Sequence, residues 1–201
     1  IYKTTDGGTT WTRLTAGLPS PSSTGRIDLA ICSSIPSVLF ASIVVPTGAS
    51  TNGGKLEGVY KTIDGGSTWT KIYTPSYVSG SGALADNWLG EQGWYNNIIG
   101  VHPTDTSIVY AGGVNLMKSA NGGRTWSTIA DWTVNAGGNI SSPHADHHAF
   151  AFRPSDPGTI FTGTDGGLFK STNAGGTWNH LNSGVSTTQF HSIALNPNNR
   201  N

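Results

Sequence analysis

Short apolar runs recur along this chain, each closed off by Pro, Gly, Ser or Asp. One frame repeats. Leu29-Ala30-Ile31 precedes Val38-Leu39-Phe40-Ala41. Ile99-Gly100-Val101 precedes Pro103-Thr104-Asp105 and Ile108-Val109-Tyr110-Ala111. Phe150-Ala151-Phe152 precedes Pro154-Ser155-Asp156 and Thr159-Ile160-Phe161-Thr162, and Ile193-Ala194-Leu195 with Asn196-Pro197 begins the frame again. β-branched and aromatic runs of this length, separated by turn formers, predict strands and not helices.

An octamer marks the same place in every frame. It reads Thr4-Thr5-Asp6-Gly7-Gly8-Thr9-Thr10-Trp11, Thr62-Ile63-Asp64-Gly65-Gly66-Ser67-Thr68-Trp69, Ser119-Ala120-Asn121-Gly122-Gly123-Arg124-Thr125-Trp126 and Ser171-Thr172-Asn173-Ala174-Gly175-Gly176-Thr177-Trp178. The Trp-to-Trp steps are 58, 57 and 52 residues, a period that means copies of one supersecondary unit. Asp and Asn bond their own downstream amides and Gly supplies positive φ, so the octamer predicts a tight turn between two strands. Tyr2, Tyr60, Met117 and Phe169 precede the turns, and the Trp residues that follow are expected to be buried anchors.

The pattern [ST]-x-[DN]-x-G-x-T-W resembles the Asp-box, or BNR repeat, of sialidases, sortilin-type receptors, photosystem assembly factors and tandem-repeat xyloglucanases. Asn121 and Asn173 replace Asp in the later copies, and Ala174 precedes the Gly pair of the fourth; Asn makes the same local bonds. The resemblance implies an all-β protein, a β-propeller of four-stranded antiparallel blades. Its members include enzymes, receptors and assembly factors, so fold alone does not assign activity. On this frame residues 1–15 hold strands three and four of one blade. Whole blades lie at about 26–73, 95–131 and 147–182, and 190–196 opens another. About four blades of a larger ring are expected, with six to eight in all.

Composition narrows the function. Only 11% of residues are charged and the net charge is zero, which excludes binding driven by phosphate neutralisation and hence a nucleic-acid partner. No apolar run approaches the ~20 residues of a membrane helix. Cys32 stands alone in an apolar run and reads as a buried small hydrophobe. With the family resemblance, the composition fits a secreted or cell-surface protein.

Strand alternation sorts the loops. The octamers and the Pro-Ser/Thr-Asp turns share one face, and the long insertions at 44–57, 73–94 and 131–143 share the other. Variable loops on a rigid scaffold carry function. In one insertion Ala85-Asp86-Asn87-Trp88-Leu89-Gly90-Glu91-Gln92-Gly93-Trp94-Tyr95-Asn96-Asn97 joins carboxylates, aromatics and amides. Trp88, Trp94, Tyr95 and Asn97 suit a sugar platform, where ring faces stack and polar groups take hydroxyls. The same Trp residues would equally pin a long loop to the blade. In another insertion Pro143-His144-Ala145-Asp146-His147-His148 enters an inner strand, near the Thr164-Asp165-Gly166-Gly167 and Gly112-Gly113-Val114-Asn115 connections. His144, Asp146, His147, Asp165 and Asn115 are expected to converge, although alternation turns His147 and His148 to opposite faces. Their spacing matches no zinc signature, and no metal or cofactor is assigned.

The predicted function is binding of a polymeric ligand on the long-loop face, glycan first and protein second. A xyloglucanase-like glycoside hydrolase and a sortilin-like protein binder are the alternatives. A hydrolase needs two carboxyl groups about the scissile bond, roughly 5 to 9.5 Å apart. Asp146, Asp165 and Glu91 are the catalytic candidates, with Asp86 and Asp131 on the same face. A sialidase is disfavoured, because Arg13, Arg124 and Arg153 map to the octamer side and Arg200 to the chain end, leaving Arg26 alone.

Overall fold

A computed structural model describes residues 1–48, 52–76, 87–135 and 141–184. The expected strand at 190–196, and Asp86, lie outside the described residues. A two-stranded hairpin, β1 (Tyr2–Lys3) and β2 (Thr12–Arg13), comes first. The first four-stranded sheet holds β3 (Ile27–Ile31), β4 (Leu39–Val44), β5 (Leu56–Thr62) and β6 (Thr70–Tyr73). The second holds β7 (Ile98–Val101), β8 (Val109–Gly112), β9 (Leu116–Ser119) and β10 (Ser127–Ala130). The third holds β11 (His147–Arg153), β12 (Asp156–Thr164), β13 (Gly167–Ser171) and β14 (Asn179–His180). Every pairing joins sequence neighbours and is antiparallel, the up-and-down order of a propeller blade.

The core lies between sheets and not within one. Val44, Leu56, Trp88, Val101 and Met117 fill the space between the first and second sheets. Ile98, Tyr110, Ile160, Phe169 and Trp178 fill the next. The inner strand β7 contacts both β3 and β11, and the Ile99 amide donates to Asp28 Oδ2 at 2.7 Å. Burial pushes the Asp28 carboxyl above its ordinary pKa despite that bond.

The octamers form one repeated turn. In the second, Thr68 donates its amide to Asp64 Oδ1 at 2.9 Å and its hydroxyl to Oδ2 at 2.6 Å. Thr62 donates to Asp64 Oδ1 at 2.7 Å. These bonds favour the charged carboxylate, and the Asp64 pKa falls to about 2, the Thr68 hydroxyl being the largest cause. Asp6 makes the equivalent bonds with Thr4 and Thr10. In the later copies the direction of one bond reverses. Asn121 Nδ2 donates to the Thr125 hydroxyl at 2.7 Å, and Asn173 Nδ2 to Thr177 at 3.0 Å, while their Oδ1 atoms still accept the Thr amides. Lysines tie neighbouring blades to these turns: Lys3 Nζ donates to Gly65 O at 2.8 Å, and Lys118 Nζ to Ala174 O at 3.2 Å.

The fourth turn carries local strain. Gly7, Gly65 and Gly122 have φ of 70°, 68° and 70°, and Ala174 is held at 56° in the same place. An L-residue with a Cβ pays for the left-handed conformation there. Ala174→Gly is expected to raise stability by up to about 1 kcal/mol, the strain relief exceeding the added chain entropy. Thermal unfolding of the two proteins measures it; a lower midpoint for the glycine variant would contradict the strain.

The expected burial of the four octamer tryptophans needs one correction. Trp69 and Trp178 are buried, and Trp126 is half-buried, but Trp11 is 60% exposed. The physical reason is the partner. Trp69 packs with Ile1 and Leu18, Trp126 against Tyr73, and Trp178 donates to Ile129 O at 3.1 Å. Each of these three indoles is covered by residues of the preceding unit, whereas Trp11 meets its own turn, donating to Gly8 O at 3.2 Å.

Candidate functional site

The loop from Asn87 to Asn97 is built from successive tight turns. Gly90, Gln92 and Tyr95 donate their amides to Asn87, Leu89 and Gln92, and Gly93 donates to Gly54 O across the sheet boundary at 2.7 Å. Gly90 and Glu91 both take positive φ, at 59° and 25°. This path fixes which side chains reach outward. Trp88 is wholly buried, stacked on Tyr73 at 5.5 Å and tilted against Trp126 at 5.1 Å. Asn97 is also buried, taking the Ser42 hydroxyl at 2.7 Å and donating to Ser42 O at 3.1 Å. Both were expected as ligand contacts, and the structure places both in the joint between sheets. Glu91 stands at the rim, 3.4 Å from Lys55 Nζ, with its side chain 69% exposed.

Trp94 and Tyr95 face outward together, their rings 5.7 Å apart. The Tyr95 hydroxyl lies 3.0 Å from each oxygen of Asp165, a residue 70 positions away on the turn between β12 and β13. His148 Nε2 approaches Asp165 Oδ1 at 2.8 Å, and its ring meets the Tyr95 ring edge-on at 4.6 Å. His144 packs over the same turn, where a Cβ on Gly166 would stand 2.5 Å from the His144 Cβ. Asn96, buried behind Tyr95, donates to Asp146 Oδ1. Asp146 has φ of 65°, which turns the chain as it enters β11. Arg26 donates to Tyr95 O. The structure thus gathers His144, Asp165, Trp94 and Tyr95, and tethers Asp146 through the neighbouring Asn96. The octamers lie at the far ends of the strands, since β13 runs from the Asp165 turn to the fourth octamer.

His147 was expected in the ligand set, and the structure places it elsewhere. It is 1% exposed, with Nδ1 2.7 Å from the Thr162 hydroxyl. Its neighbour His148 reaches the site instead. Alternation correctly separated the two, but the choice between them depended on a register shift between His147 and Ala149, which makes His148 the extra residue of a bulge. Asn115 is likewise buried, accepting the Trp132 amide at 2.9 Å. Asn96 and His148 are site residues that the sequence reading missed. Their adjacency to Tyr95 and His147 was the available signal. Among the described residues, no three His, Cys, Asp or Glu side chains are placed to hold a metal ion. No described helix is long and apolar enough to cross a membrane.

No family model matches the chain, and no curated protein matches it. Solved structures do. The GH74 enzyme of Niastella koreensis aligns with a TM-score of 0.51 and 26% identity, over 76% of this chain and 22% of that one. The GH74 xyloglucanase of Xanthomonas campestris aligns with a TM-score of 0.57 and 18% identity, over 84% of this chain and 25% of that one. The fold is a β-propeller. The extracellular domain of a putative hybrid two-component system from B. thetaiotaomicron shares it, with a TM-score of 0.52 and 16% identity over 87% of this chain. The propeller segment spans between 20% and 25% of the length of these three proteins.

Proposed function

We propose that this propeller segment, with its Asp-box turns, belongs to an extracellular protein that binds a polymeric glycan on its loop face. The observation that carries the reading is Trp94, a 58% exposed indole beside Tyr95, with Asp165 and His148 held next to it. A flat apolar ring takes the face of a pyranose, while carboxylate, imidazole and phenol take its hydroxyls. The 26% identity to a GH74 enzyme over 76% of this chain supports a carbohydrate ligand ahead of a protein one.

One observation favours a second reading, a glycoside hydrolase. Asp165 and Asp146 are held by consecutive residues, Tyr95 and Asn96, so two carboxyl groups flank the same loop. In such a site one carboxyl donates a proton to the leaving oxygen, and the other activates water or attacks the anomeric carbon. A binding and hydrolysis screen of the full-length protein against plant and microbial polysaccharides tests both readings. Trp94→Ala is expected to weaken binding about tenfold, the loss of one stacked ring. Hydrolysis that disappears in both Asp165→Asn and Asp146→Asn assigns the enzyme, and binding without turnover assigns a binding module. Unchanged affinity in Trp94→Ala overturns the proposed site.

A further inference from the structure

The loop face carries a second outward tryptophan, apart from the Trp94 group. Trp132 opens the one-turn helix α1 (Trp132–Asn135) directly after β10 and is 43% exposed. Its backbone is nevertheless held from two sides. Asn115 Oδ1 accepts the Trp132 amide at 2.9 Å, and Asp131 Oδ1 accepts both the amide and the hydroxyl of Thr133, at 2.9 and 2.8 Å. Asn115 in turn donates its amide to Trp88 O at 3.1 Å, which ties this turn to the loop that presents Trp94. A register shift between Thr128 and Ala130 disturbs the end of β10 where the helix begins. Bulges of that kind redirect the side chains that follow them. An apolar ring kept in water by a tethered backbone loses little freedom when a ligand covers it.

The two tryptophans adjoin opposite edge strands of one blade. Trp94 leads into β7, the inner strand, and Trp132 follows β10, the outer strand of the same sheet. Antiparallel order puts the start of β7 and the end of β10 on the same face. Three strand spacings, ~14 Å, separate those strand ends, more than one sugar ring covers. We infer that Trp132 is an outer sugar-stacking platform, and that the loop face takes an extended polysaccharide chain running from the axis toward the rim. Asn115 acts here as a positioning residue that holds the Trp132 backbone. The inference rests on the glycan reading above, and adds that recognition spans several sugar units and is not confined to a terminal one.

Calorimetric titration of the full-length protein with β-1,4-gluco-oligosaccharides, from disaccharide to hexasaccharide, tests it. The unaltered protein is expected to bind more tightly as the chain lengthens. Trp132→Ala is expected to weaken the hexasaccharide about tenfold and leave the disaccharide unchanged, with Trp132→Phe recovering most of the loss. Trp94→Ala weakens both lengths. If Trp94→Ala weakens binding and Trp132→Ala does not, the glycan reading stands and the outer platform falls. Affinity independent of length in the unaltered protein also overturns the outer platform. Absence of binding at every length overturns both together.

Discussion

Trp88→Ala is expected to lower the unfolding free energy by about 3–5 kcal/mol, as for other large buried aromatics. Trp88 is 0% exposed and fills the joint between the first and second sheets with Tyr73 and Trp126, at ring distances of 5.5 and 5.1 Å. Its removal leaves a cavity that neither sheet can close alone, because Val44 and Leu56 of the same cluster belong to the first sheet and Val101 to the second. Trp94→Ala serves as the comparison. That indole stands on the same loop but is 58% exposed, so its loss falls within the range of ordinary surface changes, about 0.5 kcal/mol. Denaturant unfolding of both variants decides the point. Equal effects would mean that burial between the sheets is not what makes Trp88 stabilising.

The second large effect is on acid stability, through His147. Its imidazole is fully buried, and the pKa is pushed down to about 3, first by burial and then by the nearby charges of His148 and His144. The Thr162 hydroxyl donates to Ala149 O, so its lone pair accepts from His147 Nδ1–H, and the neutral ring is the form the blade holds. In the unfolded chain the same group takes up a proton near pH 6.5. Between those values the unfolded state binds more protons, so folding is favoured less as pH falls. The contribution is fully present above pH ~6.5 and is lost progressively toward pH ~3, at about 1.4 kcal/mol per pH unit. Unfolding free energies measured from pH 7.5 down to 4 should fall more steeply for the unaltered protein than for His147→Gln, which cannot titrate. Parallel curves would show that His147 is not held neutral.

Much of the architecture was legible before any coordinates. The octamer bonds run between residues two and four apart, Thr4 to Asp6 or Asp64 to Thr68, so the turn chemistry is complete within eight residues. The separation of an octamer face from a loop face followed from antiparallel alternation alone. The site was legible in part. Asp165, Tyr95, Trp94 and His144 were candidates and stand together, whereas Trp88, Asn97, Asn115 and His147 are buried and bonded inward. Polar and aromatic residues in a loop read alike in a sequence whether they face a ligand or a neighbouring sheet.

Local chemistry determined the strands, the repeated turns and the face on which the long loops emerge, because strand period and side chain-to-backbone bonds act over a few residues. Tertiary packing decided how far each octamer tryptophan is buried, since Trp69, Trp126 and Trp178 are covered by residues of the preceding unit. It also decided that His148 and not His147 meets Asp165, through a single extra residue in β11 that no local preference specifies. Tyr95 and Asp165, 70 residues apart, meet only because two loops from different blades converge beside the inner strands. That contact depends on the packing of whole sheets, which residue type alone does not encode.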